Sequence, residues 1–150
     1  HFGVESANPD VLLKTQKKIS IKTIESGIRL AKAKGFETAC FFMFGLPGET
    51  ASQFDNTLEF ARSLNPTYAS FHFAIPFPGT PLYEEYLKER NLESGCWPST
   101  YFNDWSHDKI SSYIRHAYRS FYMFPKKFEF KEFAYRINNF TSKYRYFKSF

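Results

Sequence analysis

The chain has 150 residues, 43% of them apolar, and a formal net charge of +5, enough for one domain with a core of its own. It contains no unbroken apolar run of membrane-spanning length and opens with no signal-peptide pattern, so no transmembrane segment is expected and the cytoplasm is the expected compartment. Cys40 and Cys96 are too far apart for a CxxC or CxxxC spacing, so no metal ligand is assigned and Cys40 is expected to be a small buried hydrophobe. The opening His-Phe-Gly-Val-Glu already reads as the interior of a strand, and the chain is therefore expected to be a fragment of a longer protein.

Phe2 to Glu5 is a short strand pattern. Ser20 offers an N-cap, and Ile21, Ile24, Ile28 and Ala31 then recur at helical spacing until Gly35. Glu37 to Phe44 reads as a strand whose second half, from Cys40, is continuously apolar. Such a run predicts burial on both faces, as in a parallel sheet covered by helices. The corner Gly45-Leu46-Pro47-Gly48 follows, and Thr50 with Gln53 fits a capping box. Phe54, Leu58, Ala61 and Leu64 form the apolar stripe of a helix that stops before Asn65-Pro66. Tyr68 to Ile75 is the next strand, and Thr80 with Pro81 opens the next helix. Residues 93–106 read as loop, Ser106 to Met123 as a helix, and Phe130, Phe133, Ala134 and Ile137 as one more.

Strand and helix alternate three times, which predicts an α/β fold of parallel βα units, part of a sheet or barrel. Composition then changes. Residues 1–108 carry a net charge of −3, whereas residues 109–150 carry +8 and 14 of the 31 aromatic side chains. Two parts are expected: 1–92, built of βα units, and 93–150, a helical, basic and aromatic-rich extension.

Ligands of parallel βα folds sit at the carboxyl ends of the strands. Here those ends are Glu5-Ser6, the Gly45 to Gly48 corner, and Ile75 to Gly79. Together they offer a carboxylate, a hydroxyl, bare backbone and an apolar wall, which suits a flat, hydroxyl-bearing, uncharged group. No P-loop and no GxGxxG is present, so nucleoside triphosphates and dinucleotides are poor candidates. His1, His72, His107 and His116 have no partner pattern, and His72 reads as a core or sheet histidine.

Phe2-Gly-Val-Glu-Ser6 with a lysine about a dozen residues on, then FFMFGLPGET, then FAIPFPGTPLYE, resembles the C-terminal half of a radical S-adenosylmethionine (SAM) enzyme. The branch it resembles is the one with an N-terminal cobalamin-binding domain, and AYRSFYMFP, from Ala117 to Pro125, is similar to the segment after the barrel there. The resemblance implies half of a partial TIM-type (β/α) barrel followed by a helical extension. It implies that Glu5 hydrogen-bonds the ribose of SAM, that Ser6 adds a second polar contact, and that Lys17 binds the SAM carboxylate. Gly45 would let backbone approach the nucleoside, and Ile75 would cover the adenine. Phe41 stands where coproporphyrinogen-oxidising relatives carry an acid, which argues against that subfamily.

The family's 4Fe–4S cluster needs a CxxxCxxC loop, and this chain has none. The resemblance thus places the cluster ligands, and any cobalamin domain, outside this chain. No catalytic residue is expected within it, and alone it is expected to be inactive. Its partners would be the missing N-terminal half of the polypeptide and an organic small-molecule substrate that undergoes methyl transfer or cyclisation. The rival from another class is a non-catalytic domain whose basic aromatic part binds RNA or a protein. Helical spacing of those aromatics favours packing over nucleic acid.

Overall fold

A computed structural model describes residues 1–93, 95, 100–101 and 104–123. Cys96, part of the expected 93–106 loop and the expected helix around Phe130 to Ile137 lie outside these residues. The elements run β1 (Phe2–Glu5), α1 (Pro9–Lys14), α2 (Ile21–Ala33), β2 (Ala39–Phe44), α3 (Ala51–Leu64), β3 (Tyr68–Phe73), α4 (Pro81–Arg90) and α5 (His107–Met123). The strands form a parallel sheet in the order β1-β2-β3. Parallel neighbours require crossovers, supplied here by α1 with α2 and by α3. This is the α/β architecture of part of a TIM-type barrel.

The helices start where their caps predict. The Thr23 N–H donates to Ser20 Oγ at 3.1 Å, and the Tyr83 N–H to Thr80 Oγ1 at 3.2 Å. Gln53 reaches back to accept the Thr50 N–H at 2.9 Å, the return half of the capping box. Asn65 ends α3 in the left-handed region at φ 48°. α1 escapes a periodicity reading. Its six residues bury only Val11 and Leu12, too few to show a 3.6-residue repeat.

The buried faces correct one expectation. Cys40, Phe42 and Phe44 are buried, but Phe41 is 39% exposed and Met43 only partly covered. β2 therefore alternates. Its covered side joins Val4 of β1 and Ala69, Phe71 and Phe73 of β3 in one core with α2, α3 and α5. Phe42 and Phe44 stack on Phe71 with centroids 5.3 and 6.0 Å apart. The other side carries Phe41 opposite Ser70 and Met43 opposite His72. His72 is thus a sheet histidine on the uncovered face, with Nε2 2.8 Å from Ser70 Oγ. The strand runs also come out shorter than read. β2 begins at Ala39 and not Glu37, and β3 ends at Phe73 and not Ile75.

α5 belongs to this core through Ile110, Ala117, Phe121 and Tyr122. It also closes an edge. The N–H groups of Tyr68 and Ala74 bond across to the Thr38 and Phe44 carbonyls, at 2.9 and 2.8 Å, so even-numbered residues of β3 face β2. Odd-numbered ones then face outward, where a further strand would pair. Tyr122 fills that place: its hydroxyl accepts the Ala69 N–H and donates to the Ala69 carbonyl, each at 3.0 Å. The Tyr118 hydroxyl accepts the Phe71 N–H at 3.2 Å. The exposed edge is sealed by side chains of the chain itself.

Candidate functional site

The carboxyl ends of three adjacent parallel strands lie at one end of the sheet, and the first two end in residues of positive φ, Glu5 and Gly45. At β1 the register slips between Gly3 and Glu5. The Ser6 N–H donates to the Val4 carbonyl at 3.0 Å around Glu5, whose φ is 67°. That is a γ-turn with positive φ, an uncommon and strained conformation for a residue with a side chain. Strain of this kind gathers at ligand sites.

α1 and its return bring Lys17 back to the same point. Lys17 Nζ lies 3.1 Å from Glu5 Oε1 and also donates to the Gly3 carbonyl. Gly3 makes room: a Cβ there would stand 2.6 Å from Glu5 Oε1 and 3.2 Å from Lys17 Nζ. The two side chains remain 26% and 25% exposed, so solvent screens the pair and its net worth is at most ~1 kcal/mol. Glu5 and Lys17 are thus brought together and remain open to a ligand.

After β2 the backbone turns through Gly45 and Gly48, at φ 70° and 68°, values that glycine adopts without strain. Lys14 crosses this corner so closely that a Cβ on Gly48 would collide with its Nζ. Leu46 and Glu49 are both buried, Glu49 at 4% exposure. The Glu49 N–H bonds the Leu46 carbonyl at 2.9 Å, while Glu49 Oε2 accepts the Leu46 N–H at 3.2 Å. Burial holds the Glu49 carboxyl above its ordinary range, against the opposing pull of these hydrogen bonds.

Ser6 sits beneath this surface, fully buried. Its hydroxyl donates to Glu49 Oε1 at 3.0 Å and accepts from Asn8 Nδ2 at 2.9 Å. Asn8 Nδ2 also reaches the Gln53 carbonyl at 3.0 Å and Thr57 Oγ1 at 3.2 Å, and Thr57 Oγ1 accepts the Ala7 N–H at 3.1 Å. Ser6 therefore belongs to a buried polar network joining the loop after β1, the corner after β2 and α3. The sequence reading missed Asn8, Glu49 and Thr57. The one local signal was a carboxylate directly after the two-glycine corner.

The third strand end is covered differently. Ile75 and Phe77 are 39% and 55% exposed, while Ala74 is buried with Val11, Leu46 and Tyr101. The Tyr101 N–H donates to the Ala74 carbonyl at 2.7 Å, and its hydroxyl donates to Glu89 Oε2 at 2.6 Å. Ile75 thus presents an apolar side chain at the same end of the sheet as Glu5 and Gly45. A separate concavity of 220 Å³ opens at the amino ends of β2 and β3, lined by His1, Ala39, Phe41, Tyr68 and Ser70 among others.

No thiolate site accompanies these groups among the described residues. Cys40 is buried, and burial pushes its thiol up to about 11. Among the described residues no three His, Cys, Asp or Glu side chains gather as metal ligands would. A 4Fe–4S cluster does not fit this donor set.

Residues 1–61 match the Radical SAM superfamily. The chain is 33% identical over 133 residues to an uncharacterised methyltransferase of Pyrococcus horikoshii, covering 84% of this chain and 29% of that protein. It is 32% identical over 84 residues to the anaerobic magnesium-protoporphyrin IX monomethyl ester cyclase of Rubrivivax gelatinosus, covering 56% of this chain and 15% of that protein. A third relative, the bacteriochlorophyllide d C-12(1)-methyltransferase of Chlorobaculum tepidum, is 29% identical over 90 residues, 59% of this chain and 20% of its own length. The chain spans less than a third of each.

Proposed function

We propose that this radical SAM segment and the strand after it form part of the SAM pocket and one wall of the substrate cavity in a longer cytoplasmic enzyme. The enzyme would transfer a methyl group to, or close a ring at, an unreactive carbon of an organic substrate, with cobalamin bound by a separate domain. The names of these three relatives, two methyltransferases and a cyclase, support that choice of reactions. The chain would be the C-terminal half of the barrel, with residues 93–150 as its extension. The observation that carries the reading is that Glu5 with Lys17, Gly45 and Ile75 follow the carboxyl ends of three neighbouring parallel strands.

Bound there, SAM supplies the adenosyl and methyl groups on which the chemistry draws. The residues fit its parts. The Glu5 carboxylate accepts hydrogen bonds from ribose hydroxyls, and the Lys17 ammonium meets the amino-acid carboxylate. Gly45, with no side chain and φ 70°, lets backbone approach the nucleoside. Ile75 packs on the adenine. The Ser6 hydroxyl is taken up by Glu49 and Asn8, so Ser6 serves the pocket by fixing the strand end. The cluster ligands belong to the part of the enzyme outside this chain.

The test is anaerobic reconstitution of the full-length protein with iron and sulfide, followed by SAM. Production of 5′-deoxyadenosine, lost on Glu5→Ala, is expected. A reconstituted protein that neither binds nor cleaves SAM overturns the reading.

A further inference from the structure

We propose that Glu49 is a positioning residue that clamps the loop after β1 to the corner after β2. Every group facing its carboxylate is a donor. Oε1 accepts from the Ser6 hydroxyl at 3.0 Å and from Asn8 Nδ2 at 3.4 Å, and Oε2 accepts the Leu46 N–H at 3.2 Å. Two acceptor oxygens thus hold two separate loops. Ser6 follows Glu5, and Leu46 follows Gly45, so the clamp sets the spacing between the two groups proposed to hold SAM. That last consequence rests on the proposed function; the clamp itself does not.

The position of Glu49 in the fold argues for this role over a merely local one. A loop cap needs only the Leu46 contact, which one carboxylate oxygen makes from three residues away. The second oxygen crosses 43 residues of sequence to Ser6. Asn8 and Thr57 then brace Ser6 from the other side. Burying a carboxylate is costly unless its oxygens are satisfied, and a neutral side chain would cap the corner without that cost. What a neutral amide cannot do is accept on both sides, because its NH₂ would face a donor.

Amide hydrogen exchange in the full-length protein, read at single-residue resolution, tests the clamp without SAM. Glu49→Ala should raise exchange of the Leu46 amide about tenfold or more, and exchange at Ala7 and Asn8 with it. Glu49→Gln, which keeps one acceptor, should recover part of that protection. The diagnostic variant is Ser6→Ala, which leaves the Leu46 partner in place. It should still raise Leu46 exchange severalfold, and the double variant Ser6→Ala/Glu49→Gln should exchange no faster than Glu49→Gln alone. Unchanged exchange at Phe42 verifies the fold in each variant, and exchange that rises at Phe42 as well would mark general unfolding and overturn the proposal. Leu46 protection unaffected by Ser6→Ala also overturns it, since Glu49 would then be a local cap. Either result leaves the SAM reading standing, because no ligand is present.

Discussion

Glu5 and Lys17 hold each other at 3.1 Å, yet both are proposed to hold parts of one ligand. The two roles are compatible because the pair is partly solvated and weak. In the proposed full-length enzyme, Lys17→Ala should therefore change folding stability by no more than ~1 kcal/mol. It should weaken SAM binding by about 1.5–3 kcal/mol, the worth of a charge-assisted hydrogen bond. Calorimetric titration showing unchanged SAM affinity would return Lys17 to the role of a surface partner of Glu5. Glu49 predicts a pH effect of the opposite kind from most carboxylates. Its pKa in the fold is raised from 4.5, chiefly by burial. Between 4.5 and that raised value the folded state holds more protons than the unfolded one, so stability falls as pH rises through this window. The cost is complete above it. Glu49→Gln, with no charge to bury, should flatten this slope, read as the urea midpoint against pH for both proteins. Parallel slopes would show that the carboxylate ionises without penalty. These residues also show which signals a sequence carries. The caps Ser20, Thr50 and Thr80 were legible because each acts on its own next turn. The Ser6, Asn8, Glu49 and Thr57 network was not, because its members meet only after the strands pair.

At the scale of elements, alternation of strands and helices was legible for the same reason: periodicity is local. Burial on both faces of β2 was misread. A continuous apolar run does not say whether its second face is covered, and here that face leaves Phe41 exposed and covers Met43 only in part, beside Val11, Leu82 and Tyr86. The role of α5 was half legible. Its spacing marked an apolar face, but not that two of its tyrosines would substitute for a strand. Tyr122 gives that idea a test. Tyr122→Phe keeps the ring and leaves the buried Ala69 N–H and carbonyl without their partner. The expected loss is about 1–3 kcal/mol in urea unfolding. Tyr118→Phe should cost less, since its hydroxyl serves one backbone group of β3, the Phe71 N–H. A Tyr122→Phe protein as stable as the parent would mean that water satisfies the edge equally well.

At the scale of the whole molecule, the two outer edges of the sheet differ. The β3 edge is closed by α5, whereas among the described residues no strand pairs with the outer edge of β1. Open strand edges template association. Leu13, Leu30 and Phe36 add exposed apolar surface at 79%, 61% and 67%. The 150-residue chain alone should therefore aggregate more readily than the proposed longer protein, as light scattering against concentration would show. It should also be chemically silent. Of its two cysteines, Cys40 is buried with its thiol held protonated at neutral pH, so three spaced thiolates are not on offer. Anaerobic reconstitution should give no 4Fe–4S absorbance and no 5′-deoxyadenosine. Supplying the proposed upstream half, in cis or in trans, should restore both and suppress the aggregation, because the same strands would cover the β1 edge and bring the cluster loop. A cluster and SAM cleavage from the 150-residue chain alone would require Cys40 to leave the core and ligate iron, and the division of labour proposed for this enzyme would then be wrong.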